Sequence, residues 1–178
     1  MFYCDFFEAC DEIARGSNPY PGQQSFEDAY SRVFVCNQRL KENEDIIPSN
    51  QLYNMSYKET REYFDKFKNI KPEDIKASDV INVTPQSKST IKEYSSLMEK
   101  NLANRRFCAT SKGYLGWLCD AGEAGDIVCI FAGSNVPYLL RPDDDGYYKL
   151  IGECYIQGIM YGEALTNNAL VKEKFKIR

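Results

Sequence analysis

The hydrophobic period of this chain changes once, near Asn104, and that change limits the fold more than any other feature. Upstream, apolar residues recur at helical spacing; downstream, they fall in short alternating runs separated by turn residues. In FYCDFFEACDEIAR the apolar positions Phe2, Phe6, Ala9, Cys10, Ile13 and Ala14 form a helical stripe. GSNPYPGQQ ends it with Gly16 and two prolines. Ser25 is placed to cap a second helix, with Phe26, Ala29, Tyr30, Val33, Phe34 and Leu40 on one face. After Pro48, Ser56 and Glu59 have capping-box spacing, which predicts a third helix over 56–69 with Tyr57, Phe64 and Phe67 inward. The stretch ASDVINVTP after Pro72 fits neither period. From Pro85 a fourth helix carries Ile91, Tyr94, Leu97, Met98 and Leu102, with Lys88, Lys92 and Lys100 on a solvated face.

Beyond Asn104, the runs RRFCATS, GYLGWLC, GDIVCIFAG, VPYLLR, YYKLIGECYIQG and VKEKFKIR read as short strands. DDDG at 143–146 predicts a hairpin, because Asp and Gly tolerate the turn dihedrals. It is not an EF-hand loop: with Gly146 as the loop glycine, Arg141 and Gly152 would fill positions that need carboxylates. In VKEKFKIR cations alternate with Val171, Glu173, Phe175 and Ile177, the pattern of an edge strand with a charged outer face. The expected fold class is therefore α+β. A helical region over 1–104 packs against a small, partly closed antiparallel β-barrel over 105–178, and the two form one compact unit.

At 178 residues the chain can bury one ordinary core. A hydrophobic share of 43% and an aromatic share of 13% predict packing rather than disorder. The net charge of −4 lacks the basic balance of a nucleic-acid binder. The longest apolar stretch, IVCIFAG, is too short to span a bilayer. MFYCDFFEACDE has no positive leading segment and is acidified by Asp5, Glu8, Asp11 and Glu12, so no secretory signal and a cytoplasmic location are expected. Histidine is absent. That removes Ser-His-Asp and Cys-His activation and the commonest transition-metal ligand, so a catalyst would rely on Glu, Asp, Lys, Tyr or an otherwise activated Cys. Cys4, Cys10, Cys36, Cys108, Cys119, Cys129 and Cys154 form no CxxC, and most have apolar neighbours. They read as buried thiols in a reducing compartment rather than a disulfide or metal framework. Neither a metal nor a cofactor is expected.

Residues 152–164, GECYIQGIMYGEA, raise the question of catalysis most directly. Alternation sets Gly152, Cys154 and Ile156 on one face and Glu153, Tyr155 and Gln157 on the other. Glycines inside a strand mark bulges, bends or close backbone approach, a role that Gly158 and Gly162 continue. Glu153 and Glu163 lie across expected bends, and nothing brings them to the separation of a carboxylate pair. Glu153 is expected to be partly buried, with Arg141, Arg105 or Arg106 as its partner. It would serve either as an internal brace or, with Arg141, as the polar wall of a ligand pocket at the barrel mouth. GYLGW and GEAGD lack phosphate-loop spacing and look like hairpin turns. Trp117 is expected to pack in the core or over the junction of the two regions. If Tyr114 and Trp117 were both exposed they would mark a partner site, but they would not make a stacking platform for bases.

Three blocks carry a family resemblance. They are RRFCATSKGYLGW, GDIVCIFAGSNVPYLLRP and YYKLIGECYIQGIMYGEA. In order and spacing they resemble the C-terminal region of fungal heterokaryon incompatibility (HET domain) proteins. The first is matched at Arg105, Arg106, Phe107, Thr110, Gly113, Tyr114 and Gly116. The second is matched at Gly125, Asp126, Val128, Cys129, Gly133, Pro137, Leu140 and Arg141. The close is matched at Gly152, Glu153, Tyr155, Gly158, Met160, Gly162, Glu163 and Ala164. SFEDAYSRVFVCN also resembles a helix of that family. The family's defining N-terminal HET domain is not in this sequence, so its activity does not carry over. What the resemblance implies is a non-catalytic companion region for recognition, regulation or scaffolding in fungal non-self recognition and programmed cell death, with a protein partner. Two rivals stand beside it: a small-molecule or nucleotide sensor using Arg141 and Glu153, and an enzyme with Cys154 or Cys129 as nucleophile.

Overall fold

A computed structural model describes residues 3–40, 49–68, 70, 74, 84–166 and 172–178; Pro48, Pro72, Val171 and most of ASDVINVTP lie outside them. Among the described residues four helices come first: α1 (Tyr3–Ala14), α2 (Phe26–Val33), α3 (Ser49–Lys66) and α4 (Pro85–Leu102). In α1 the buried line runs through Phe7, Cys10 and Ala14, while Ile13 is 45% exposed. The stripe is thus rotated from the expected one: with Phe6 and Phe7 adjacent, the period alone could not rank them, and tertiary packing chose Phe7. The Ser25 cap forms as expected, its Oγ accepting the Asp28 N–H at 3.1 Å. Helix α2 closes with Asn37 N–H bonded to the Arg32 carbonyl and Cys36 N–H to that of Val33. This is a Schellman arrangement, and it holds Cys36 and Asn37 at positive φ.

Helix α3 corrects the capping-box reading. It begins at Ser49, and Ser56 lies inside it, donating its hydroxyl to the Leu52 carbonyl at 2.8 Å. Leu52 and Tyr53 extend the buried face upstream of Ser56, and burying them overrides the local cap signal. Glu59 instead accepts a hydrogen bond from Ser87 of α4. Helix α4 has the Thr84 cap and Pro85 at its first turn, and it buries Ile91, Tyr94 and Met98. Lys88, Lys92 and Lys100 are exposed, as expected.

Asn104, at φ 56°, makes the left-handed turn on which the chain leaves the helical layer. The strands β1 (Arg105–Ala109), β2 (Leu115–Cys119), β3 (Ile127–Cys129), β4 (Tyr138–Pro142), β5 (Tyr147–Ile156) and β6 (Lys176–Ile177) follow, with a short helix α5 (Glu163–Thr166) before β6. The sheet order is β1-β2-β5-β4-β3. These five strands pair antiparallel, whereas β6 adds to β5 in parallel at Tyr147 and Tyr148. The long strand β5 joins both halves, pairing β4 along its first part and β2 along its last. Register slips between Leu139 and Leu140, whose partners are Gly152 and Leu150, so Ile151 is the extra residue of a bulge. The expected DDDG hairpin forms, with Asp145 and Gly146 at positive φ. Among the described residues β1 and β3 do not pair with each other, so the sheet stays open there.

The fold is α+β, helices against a small curved sheet. Phe107, Trp117 and Tyr155 are cross-strand partners on the face that the helices cover. Trp117, 1% exposed, donates its indole N–H to the Val33 carbonyl at 2.9 Å and stacks on Phe6. It pins the sheet to α1 and to the end of α2. Trp117 lies within β2 rather than in a turn, which corrects that part of the GYLGW reading; the turn belongs to Gly113. On the other face Leu118, Leu139, Cys154 and Ile156 form a second apolar cluster.

Candidate functional site

The glycine-punctuated strand is built by close packing. A Cβ on Gly116 would stand 2.2 Å from the Tyr155 carbonyl oxygen, so only glycine lets β2 lie against β5 there. One on Gly152 would meet Cys119 Sγ at 2.9 Å. Gly113, Gly125, Gly158 and Gly162 all have positive φ and turn the chain between elements. Tyr114 packs edge-on to Tyr20 beside the Gly113 turn. Tyr155 is buried and bonds the amide oxygen of Gln157, whose nitrogen donates to Gln24 at 3.0 Å.

The thiol of Cys154 is 1% exposed among Leu118, Leu139 and Ile156. Burial pushes it up to about 12, so the thiolate is suppressed at neutral pH. Burial also raises the Cys129 thiol. Glu153 is exposed, and its carboxylate has no ion-pair partner among the described residues, which overturns the buried-brace expectation. The physical reason is its direction: it projects from the helix-facing side of β5, beyond the point where the helices cover the sheet. Glu163 instead accepts the Tyr161 N–H at the start of α5. The two carboxylates and the thiol do not converge.

Arg141 and Asp126 form a clamp. The Arg141 guanidinium meets the Asp126 carboxylate at 2.7 and 2.9 Å and donates to the Ala121 carbonyl at 2.8 Å. The second Asp126 oxygen also accepts the Glu123 N–H, and Glu123 reaches Arg141 at 3.3 Å. The Asp126 side chain is 2% exposed, and its hydrogen bonds from Arg141 hold its carboxyl below the usual range. The clamp ties the β2–β3 connection to β4. It leaves Arg141 engaged away from Glu153, so the structure does not bring this sequence-predicted pair together. Arg106 makes a long exposed pair with Asp120 at 3.6 Å.

One cleft does open at the seam between the layers, with a volume of about 180 Å³. Cys36 and Asn101 line it from the ends of α2 and α4, Arg105 and Glu153 from the sheet, and Val136 and Met160 from the sides. Asn101 is fixed, accepting from Gln38 and donating to the Val35 carbonyl. Burial pushes the Cys36 thiol up to about 11, opposed by the Arg105 charge. Sequence reasoning placed Glu153 at a pocket but missed Cys36 and Asn101 as its lining. The available signal was the pair of helix ends, at Cys36–Asn37 and Asn101–Asn104, which must meet the sheet at its first strand.

Among the described residues no helix is long and apolar enough to cross a membrane. The chain matches the Het-6 beta-barrel domain over residues 18–177. It is also 39% identical over 67 residues to heterokaryon incompatibility protein 6, OR allele, of Neurospora crassa. That match covers 36% of this chain and 10% of the relative, so the chain spans a small part of that protein's length. No solved structure matches. With the match running from ahead of α2 through β6, the chain belongs to the Het-6 beta-barrel domain family.

Proposed function

We propose that the chain is a non-catalytic recognition or regulatory module in fungal heterokaryon incompatibility, working in the cytoplasm through contact with a protein partner and coupled to programmed cell death. The observation that carries this reading is how the matched motif residues are used. Gly116 and Gly152 permit close packing, Gly113, Gly125, Gly158 and Gly162 make turns, and Asp126 and Arg141 satisfy each other. Relatedness to a heterokaryon incompatibility protein supports the biological setting. The suppressed thiolate at Cys154 argues against a cysteine nucleophile.

The test is the incompatibility reaction of the protein in its host. Cys154→Ala and Cys129→Ala are expected to keep it, while Asp126→Ala, which releases the clamp, is expected to abolish it. Loss of the reaction in either cysteine variant, with the protein still folded and abundant, would favour the enzyme reading instead.

A further inference from the structure

The seam cleft holds two opposite charges that the fold does not use. Arg105 stands two residues before Phe107 on β1, and Glu153 two before Tyr155 on β5, so both project from the face that carries Trp117. Strand β2 lies between them, which sets their backbones two ladder spacings, about 10 Å, apart. Neither side chain has an ion-pair partner among the described residues, although both line the cleft. By contrast Arg106, the next residue on β1, pairs with Asp120 at 3.6 Å.

We infer that this cleft binds a small zwitterion of the free α-amino-acid type, with Arg105 receiving the carboxylate and Glu153 the ammonium. Arg105 and Glu153 both line the cleft, so a ligand carrying both charges can meet each of them, and Val136 and Met160 offer apolar walls to a short side chain. A volume of about 180 Å³ falls below the roughly 300–1,000 Å³ of sites for drug-sized ligands, in keeping with a small ligand. A guanidinium takes a carboxylate bidentately, which fixes orientation as well as charge. The site is independent of the recognition role proposed above, because binding is read on the folded chain alone.

The experiment is a titration of the isotope-labelled protein, followed by amide NMR, with L-alanine and L-valine as probes. N-acetyl-L-alanine and L-alaninamide, each lacking one charge, serve as comparisons. Saturable shifts are expected at Arg105, Glu153 and Cys36 with the free amino acids, and binding at least about tenfold weaker with either blocked compound. Arg105→Gln and Glu153→Gln, both at exposed positions, are expected to keep the native spectrum and to weaken binding by a similar factor. The inference is overturned if no probe produces saturable shifts, if N-acetyl-L-alanine or L-alaninamide binds as well as alanine, or if either variant binds alanine as the wild type does.

Discussion

Gly116 and Gly125 show two different reasons for glycine in one sheet. At Gly116 the obstacle is the Tyr155 carbonyl 2.2 Å from where a Cβ would sit, so neither layer can move aside without breaking the β2–β5 ladder. At Gly125 there is open space, and the demand is only the backbone angle, φ 97°. Gly116→Ala is therefore expected to cost about 3 kcal/mol or prevent folding, as overpacking does. Gly125→Ala should cost about 1 kcal/mol. Urea unfolding of the two variants measures the contrast, and equal losses would contradict it. Asp126 supplies the pH dependence at this scale. Its hydrogen bonds from Arg141 depress its folded pKa, so the unfolded chain takes up the proton first as pH falls. The clamp's contribution is thus present above the ordinary Asp value of about 4 and is lost below it. Asp11 adds to the same acid limb: burial pushes its carboxyl up, but the bonds from Arg61 and Tyr30 outweigh that and leave it lowered. Asp126→Asn is expected to lower Tm at pH 7 and flatten its fall between pH 5 and pH 3. An unchanged acid limb would show that the clamp does not set it.

At the scale of elements, β6 is held by charge more than by length. It has two residues, yet Asp143 at the hairpin receives Arg178 at 2.7 Å and Lys149 at 3.1 Å, and Arg178 N–H bonds the Tyr148 carbonyl. Arg178 first, then the Asp144 N–H and Lys149, bring the Asp143 carboxyl down to about 2. Asp143→Asn is expected to speed hydrogen exchange at Arg178 while leaving β2 amides protected; no change would mean that pairing alone retains β6. The same elements show what the sequence could disclose. The period change at Asn104, the Ser25 cap and the DDDG hairpin were legible because each is a local signal with a local cause. The start of α3 was not, because burial of Leu52 and Tyr53 outweighed the Ser56–Glu59 spacing. The parallel pairing of β6 was also hidden, since alternation marks an edge strand but not its direction. At the site, Glu153 was found by its setting between Gly152 and Cys154. Its exposure depended on where the helical layer ends, a tertiary fact no strand pattern contains.

Across the whole molecule, one core serves both layers. Phe7, Phe34 and Tyr94 from the helices join Leu115, Trp117 and Tyr155 from the sheet. Rings stack or meet edge-on across the junction, as Phe34 does with Phe107 and Trp117. Residues 105–178 alone would expose that face, so the fragment is expected to lack a cooperative unfolding transition by circular dichroism. A cooperative transition would show that the sheet folds by itself. In the full chain, Trp117 fluorescence and helical ellipticity should report a single coincident midpoint, because the only tryptophan is bonded to α2.

The proposition that the GECYIQG strand is architecture rather than chemistry is open to one direct measurement: the alkylation rate of Cys154, followed by peptide mass spectrometry at pH 7 across a urea series. The burial that leaves the side chain 1% exposed also pushes its thiol up to about 12, so the native protein offers the reagent little thiolate and little access. Labelling is therefore expected only along with global unfolding, on the same urea dependence as the loss of Trp117 fluorescence. Rapid labelling of Cys154 in the native protein without urea would contradict the structural role and return the strand to the candidates for catalysis.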